Sequence, residues 1–173
     1  INNLNIDLKY IEEFITFLKV EKRCSIHTLR SYQTDLNQFD NYIKTKYNIS
    51  IIKVSQAQTR SFLVSLINKN ISNRTVSRKL STLKSFYRYL MKVSAVKISP
   101  MINVQSPKIE KRLPSFIKES NILILFNREI YSVGFIGFRD YMIIKLFYHT
   151  GIRLSELIGL KESDVRSSEI KVT

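Results

Sequence analysis

The chain has 173 residues, 44% of them hydrophobic, and a formal net charge of +14 at pH 7. This length and apolar content suffice for a packed core, and the charge favours a polyanionic partner. No run of 18 apolar residues and no signal peptide is visible, so a membrane is disfavoured as that partner. One cysteine, Cys24, and two distant histidines, His27 and His149, exclude a disulfide framework and a zinc site, and they fit a reducing cytoplasm.

The positive charge is concentrated in the first part of the chain. Residues 1–105 hold 17 basic and 6 acidic residues, whereas residues 106–173 hold 11 and 8. Between Asp40 and Glu110 there is no acidic residue, although thirteen Lys and Arg lie there. Codon bias in an AT-rich genome is the alternative, but it would not also remove Asp and Glu. The first part is therefore predicted to bind the polyanion.

Apolar residues spaced three and four apart predict four helices in the first part. Ser25 is expected to cap the second helix, and Ser55 with Gln58 forms a capping-box pattern at the start of the third. The predicted limits are about 6–20, 25–46, 55–68 and 72–93. The core face of the first helix is predicted to contain Leu8, Ile11, Ile15 and Leu18, with Phe14 beside them.

All three prolines, Pro100, Pro107 and Pro114, fall in a stretch without helical periodicity. Residues 96–115 are therefore predicted to be a linker between a first domain, 1–95, and a second segment, 116–173. That segment is expected to hold helices over about 119–130 and 138–149, a third from 153, and the beginning of a strand at 170–173.

The fourth predicted helix sorts its side chains into two faces. Lys79 alone projects from the apolar half, where it is expected to extend its amine toward water. The polar face has cations and hydroxyls and no carboxylate of its own, which suits phosphate oxygens and groove edges of duplex DNA. Its members are Arg74, Ser77, Arg78, Ser81, Lys84, Ser85, Arg88 and Lys92.

The second predicted helix offers another polar face. Its donors and acceptors are of the kinds that contact bases or sugars, although polar helix faces are common. The members are His27, Arg30, Ser31, Thr34, Gln38 and Asn41. We expect double-stranded DNA as the partner of both faces. An RNA partner is less favoured because no exposed aromatic platform is evident.

Three stretches resemble the tyrosine recombinase (phage integrase, Xer-like) family. They are Ser25 to Tyr32 with Asp35, Leu36 and Phe39; Arg74 to Leu90, ending Ser-Phe-Tyr-Arg-Tyr-Leu; and Arg139 to Asp164, containing Thr-Gly-Ile-Arg-Leu-Ser-Glu-Leu. The resemblance implies a mainly α chain. Its first part would be a four-helix SAM-like core-binding domain, followed by a truncated, mostly helical beginning of an α/β catalytic domain.

The family's chemistry is phosphoryl transfer from DNA to a tyrosine, through a 3′-phosphotyrosyl link and without metal or cofactor. The resemblance implies that Arg153 is the first catalytic arginine, whose guanidinium can meet two phosphate oxygens at once. Glu156 would support it by orienting its side chain. It also implies that further recombinase protomers, forming a tetramer on DNA, are partners of the parent protein. A non-catalytic DNA-binding or architectural protein is the alternative.

The other catalytic residues of the family follow the first arginine, and all nine tyrosines here precede Arg153. We therefore expect residues 1–173 to bind DNA without cutting it. The test is incubation with a radiolabelled suicide substrate, which should give no covalent adduct. An adduct that survives denaturation would contradict the expectation.

Overall fold

A computed structural model describes residues 2–109, 116–166 and 169–172, and side chains from residue 6 onward. The chain divides into two compact units, Ile1–Lys111 and Arg112–Thr173. Within the described residues no β-strand forms, and the antiparallel bridge between Val165 and Ile170 is isolated. The predicted mainly α class is confirmed.

The first unit contains the four predicted helices. They are α1 (Asn2–Val20), α2 (Ile26–Tyr47), α3 (Gln56–Asn68) and α4 (Asn73–Lys92). Ser25 accepts a hydrogen bond from the Thr28 N–H at 3.3 Å, and Ser72 accepts one from the Thr75 N–H at the same distance. At α3 the Gln58 side chain accepts from the Ser55 N–H at 2.8 Å. These caps satisfy backbone donors that a helix start leaves open, which fixes where the helices begin.

The core of the first unit is rich in aromatic rings. Phe86 of α4 meets Phe14 of α1 edge-on with centroids 5.3 Å apart, and Phe39 of α2 meets Phe62 of α3 at 5.0 Å. Tyr87 is fully buried and donates its hydroxyl to the Ile51 carbonyl at 2.6 Å. Edge-to-face pairs of this kind add to the free energy gained by burying the rings. α4 is thereby held with one face inward along its length.

One predicted core position on α1 is wrong. Leu8 is 46% exposed, whereas Ile11, Phe14 and Leu18 are buried. The core face of α1 instead continues to Asp7, which is fully buried next to the Ser50 hydroxyl and 3.3 Å from the Lys44 amine. A carboxylate can take that position because a donor and a cation from the rest of the unit meet it there.

The predicted linker is only partly a linker. Pro100, Met101 and Val104 are buried, and the last two belong to the core of the first unit. Asn73 at the start of α4 also donates to the Lys108 carbonyl at 2.9 Å. The prolines break helical periodicity, but apolar side chains between them still pack on the helices. Residues 110–115 of the prediction lie outside the described residues.

The second unit has three short or medium helices, α5 (Glu119–Ile124), α6 (Phe135–Thr150) and α7 (Leu154–Gly159). The helix predicted over about 119–130 is divided in two. α5 ends at Ile124, and a separate 3-10 turn follows at Arg128–Ile130. Gly151 ends α6 in the left-handed region with φ 63°, where glycine carries no steric penalty. Among the described residues 170–172 of the predicted strand, only Ile170 forms a bridge, and Thr173 lies outside the described residues.

The described residues of the second unit bury little. Only Gly137 and Ile152 of them fall in the buried class. Many large apolar side chains are open to solvent instead. They include Phe116, Leu123, Ile124, Val133, Phe135, Ile136, Phe138, Leu154 and Ile158. Because so few of its described residues are buried, the second unit gains little stability from burying apolar surface among them.

Two alanine substitutions on α1 test the register of the helix. Ile11→Ala should lower the free energy of unfolding by about 2–5 kcal/mol, because it removes a fully buried side chain. Leu8→Ala, the matched control, should cost less than about 1 kcal/mol because Leu8 is exposed. Urea unfolding followed by circular dichroism measures both. Equal losses would contradict this register.

Candidate nucleic-acid interface

The outward face of α4 carries the residues predicted for DNA contact. Arg74, Arg78, Ser81, Arg88 and Lys92 are exposed, and Ser77, Lys84 and Ser85 are partly so. The opposite face is buried, as its apolar pattern predicted: Val76, Leu80, Leu83, Phe86, Tyr87 and Leu90. The Ser77 oxygen is buried and has no hydrogen-bond partner among the described residues, so its side chain would have to rotate to reach a ligand.

Two cations of this outward face meet carboxylates from outside α4. The Lys92 amine lies 3.2 Å from Glu21, the residue after α1, and Arg78 forms a bidentate pair with Asp35 of α2. The face has no carboxylate of its own, as predicted, but Asp35 and Glu21 from outside α4 neutralise part of its charge. Within the residues that the structure describes, Arg74, Lys84 and Arg88 form no salt bridge. These three cations are the ones most available to an anion.

Lys79 does not extend toward water as predicted. It is 7% exposed, and its amine donates to Asp35 at 2.8 Å and to Gln38 at 2.6 Å. Its position on the apolar side of α4 is explained by Asp35, which is 2% exposed. The sequence did not identify Asp35 as the partner of Lys79, because α2 and α4 are far apart in the chain. The signal available was that Asp35 is one of only two acidic residues from Lys22 to Ile109 in a strongly basic sequence.

The polar face of α2 is also open. His27, Arg30, Ser31 and Thr34 are exposed, and the Thr34 hydroxyl donates to the Arg30 carbonyl at 2.9 Å. Asp35 follows Thr34 directly and contacts Arg78 on α4. The outward faces of α2 and α4 are therefore adjacent, and together they form what we call the α2–α4 surface.

The helices that form the α2–α4 surface expose no carboxylate of their own, although Glu21, which follows α1, contacts Lys92 of that surface. Asp35 and Asp40 are the only carboxylates from Lys22 to Ile109, and both are buried. Burial raises the pKa of Asp40, although Lys44 at 2.7 Å opposes this shift. The exposed carboxylates of the described part of this unit are Glu12, Glu13 and Glu21, all of α1 or its end. α2, α3 and α4 thus expose cations without exposed carboxylates, which gives a positive potential.

Arg153 lies between α6 and α7 in the second unit. Its side chain is 81% exposed, and its guanidinium Nη1 lies 2.8 Å from Glu156. Glu156 also accepts the Arg153 backbone N–H at 2.8 Å. That backbone bond, followed by the guanidinium bond, lowers the pKa of Glu156 below its ordinary value. Glu156 therefore both caps α7 and holds the side chain of Arg153.

Two other kinds of site are absent from the part of the chain that the structure describes. No three or more His, Cys, Asp or Glu side chains come together in a way that could hold a metal ion. No helix there is long and apolar enough to cross a membrane.

Residues 11–93 match the family described as phage integrase, N-terminal SAM-like domain. The chain is 38% identical over 157 residues to the tyrosine recombinase XerC of Staphylococcus saprophyticus, covering 91% of this chain and 52% of that protein. It is 37% identical over 166 residues to XerC of Staphylococcus carnosus, covering 95% and 55%. The chain thus spans about half the length of these relatives.

A solved structure has a similar fold. It is the crystal structure of a lambda integrase dimer bound to a COC′ core site, with a TM-score of 0.69 and 15% sequence identity. The match covers 95% of this chain and 44% of that one. At this identity the likeness bears on the fold alone.

The Arg153–Glu156 contact can be tested by titration. Arg153→Met should raise the pKa of Glu156 toward its ordinary value without reaching it, because the backbone N–H bond, the larger cause, remains. Carboxyl-selective NMR across pH 2–7 measures the shift. Arg139→Met is the control, since Arg139 pairs with Asp140 and not with Glu156. An unchanged pKa in Arg153→Met would show that the guanidinium does not contact Glu156 in solution.

Proposed function

The chain belongs to the tyrosine recombinase (phage integrase) family, and on that premise we propose that its first unit binds duplex DNA through the α2–α4 surface. The observation that carries this proposal is the row of Arg74, Lys84 and Arg88 on the outward face of α4, with no carboxylate paired to them among the described residues. Each such cation can displace a counterion condensed on a phosphate, which favours binding.

The shape of α4 suits this role. Its 20 residues extend for about 30 Å, and the major groove of B-form DNA admits an α-helix. The arginines and lysines supply charge to phosphates, while Ser81 and Ser85 offer short hydrogen bonds. The α2 face, with His27, Arg30, Ser31 and Thr34, would add contacts beside it. Because the inward face of α4 is packed in the core, the helix can present these groups without bending.

For the whole protein we propose site-specific DNA recombination through a 3′-phosphotyrosyl intermediate. Arg153 would contact the scissile phosphate, where a planar guanidinium can donate to two oxygens and stabilise charge in the transition state. Its exposure is compatible with such a contact, and Glu156 restricts its conformations beforehand. We extend the proposal to assembly with further protomers on DNA, as a tetramer, and to a cytoplasmic site of action.

A triple substitution tests the DNA-binding role. Arg74→Ala, Lys84→Ala and Arg88→Ala together should weaken binding to a duplex of 30 base pairs. They should also reduce the slope of log K against log salt by about 2.7, if each cation contacts one phosphate. Fluorescence anisotropy over a series of salt concentrations measures both quantities.

The matched control removes the same charge elsewhere on the first unit. Lys53, Arg60 and Lys69 are exposed and lie outside α2 and α4. Replacing these three by alanine should lower the affinity much less and leave most of the slope. If the two triple variants lose affinity equally, the attraction comes from net charge, and the α2–α4 surface is not the binding site.

A further inference from the structure

We propose that Asp35 is a positioning residue that fixes the Arg78 guanidinium for contact with a guanine edge in the major groove. This inference rests on the proposed function, DNA binding through the α2–α4 surface. Under it, Arg74, Lys84 and Arg88 give sequence-independent attraction, whereas Arg78 discriminates between sequences. The two roles differ because Arg78 is held by Asp35, whereas Arg74, Lys84 and Arg88 have no ion pair in the described structure.

The Asp35 carboxylate has its hydrogen-bonding capacity filled. Oδ1 accepts from Arg78 Nη2 at 3.1 Å and from the Lys79 amine at 2.8 Å. Oδ2 accepts from Arg78 Nη1 and from the Thr82 hydroxyl at 3.0 Å. A carboxylate offers about four acceptor sites, and all four partners come from α4. Asp35 is therefore held firmly, and Arg78, bound to both of its oxygens, is restricted in its turn.

The Arg78 side chain keeps donors for a ligand. It is 47% exposed, whereas Asp35 is 1% exposed at the side chain. A guanidinium has five N–H donors, and Asp35 uses one on each terminal nitrogen. The Nε–H and the outer N–H groups remain, and two parallel N–H groups match the O6 and N7 acceptors of guanine. Holding the guanidinium in place beforehand lowers the entropy lost when that contact forms.

Lys79 preserves the positive charge of the cluster. A carboxylate paired with Arg78 alone would cancel it, and an anionic groove would then gain little from the pair. Because Lys79 also contacts Asp35, the three groups together carry one net positive charge. The Lys79 amine is buried, so the exposed part of that charge is on Arg78. Arg78 thus combines a fixed geometry with attraction to DNA.

The pair between Lys92 and Glu21 provides a contrast on the same helix. Both side chains are more than half exposed, and their closest atoms lie 3.2 Å apart. Exposed pairs of this kind contribute little to stability and exchange readily with other ions. Lys92 can therefore turn to any phosphate. Of the two exposed cations of α4 that are paired in the described structure, Arg78 is held in a fixed orientation and Lys92 is not.

The experiment selects bound duplexes from a pool with 25 randomised base pairs and sequences them. We use the full 173-residue chain at one salt concentration. The wild type should enrich guanine at one or more positions of its preferred sites. Arg78→Lys, which keeps the charge and loses the fork, should reduce the preference for guanine at one of those positions by roughly 5- to 150-fold. Enrichment at the other positions should remain.

Asp35→Asn should reduce the same preference, while its affinity for the unselected pool stays equal or rises because a negative charge is lost. If this variant unfolds, Asp35→Asn with Lys79→Met removes the buried cation as well, and it should show the same loss. The control is Arg60→Lys, the same chemical change at an exposed residue that lies outside α2 and α4 and has no ion pair in the described structure. Its profile should match the wild type.

Three results would overturn the inference. One is a guanine preference that persists in Arg78→Lys. Another is an equal loss of affinity for all duplexes in Arg78→Lys, which would indicate a phosphate contact. The third is a preference that persists in a folded variant lacking Asp35. Each leaves DNA binding by the α2–α4 surface intact, whereas a wild type that binds no duplex at all would end both proposals.

Discussion

The buried contact between Asp35 and α4 determines how the first unit presents its charge. A carboxylate that is 2% exposed loses its hydration, and it is retained only because Arg78, Lys79 and Thr82 replace the lost water contacts. The same contacts fix the rotation of α4 relative to α2, since Arg78, Lys79 and Thr82, which span little more than one turn of α4, could not all meet Asp35 in another rotation. The outward direction of the other α4 cations follows from that rotation. One buried anion thereby organises an exposed cationic surface.

The placement of the remaining carboxylates has a related effect. Net charge is a property of the whole chain, but a ligand responds to the charges near it, within a Debye length of about 8 Å at physiological salt. In the first unit, Asp7 and Asp40 are buried around Lys44, and the exposed glutamates belong to α1 or its end. The potential near α2 and α4 is consequently more positive than the sequence average suggests.

Features governed by neighbours in sequence could be predicted. The four helices, their serine caps and the two faces of α4 depend on periodicity and local hydrogen bonds, and the structure confirms them. The burial of Asp7 and Lys79 could not be predicted, because a charged residue on an inward face needs a partner from elsewhere in the fold. Leu8 was placed on the core face of α1 because the inward position of Asp7 was not foreseen. The burial of Met101 and Val104 was not predicted either, because these residues pack against helices that are distant from them in sequence. The DNA-contact roles of the α2 and α4 residues remain predictions.

Arg153 differs from Arg78 in what its surroundings can provide. Its partner, Glu156, is only three residues away, so the contact arises from the local sequence. With 81% of its side chain exposed, its attraction to a phosphate would be close to that in bulk water, about 1 kcal/mol at 4 Å. At an effective dielectric constant of 20 the same attraction is about 4 kcal/mol. A catalytic role for Arg153 therefore requires that water be excluded around it, by DNA or by protein that covers the exposed apolar side chains of the second unit.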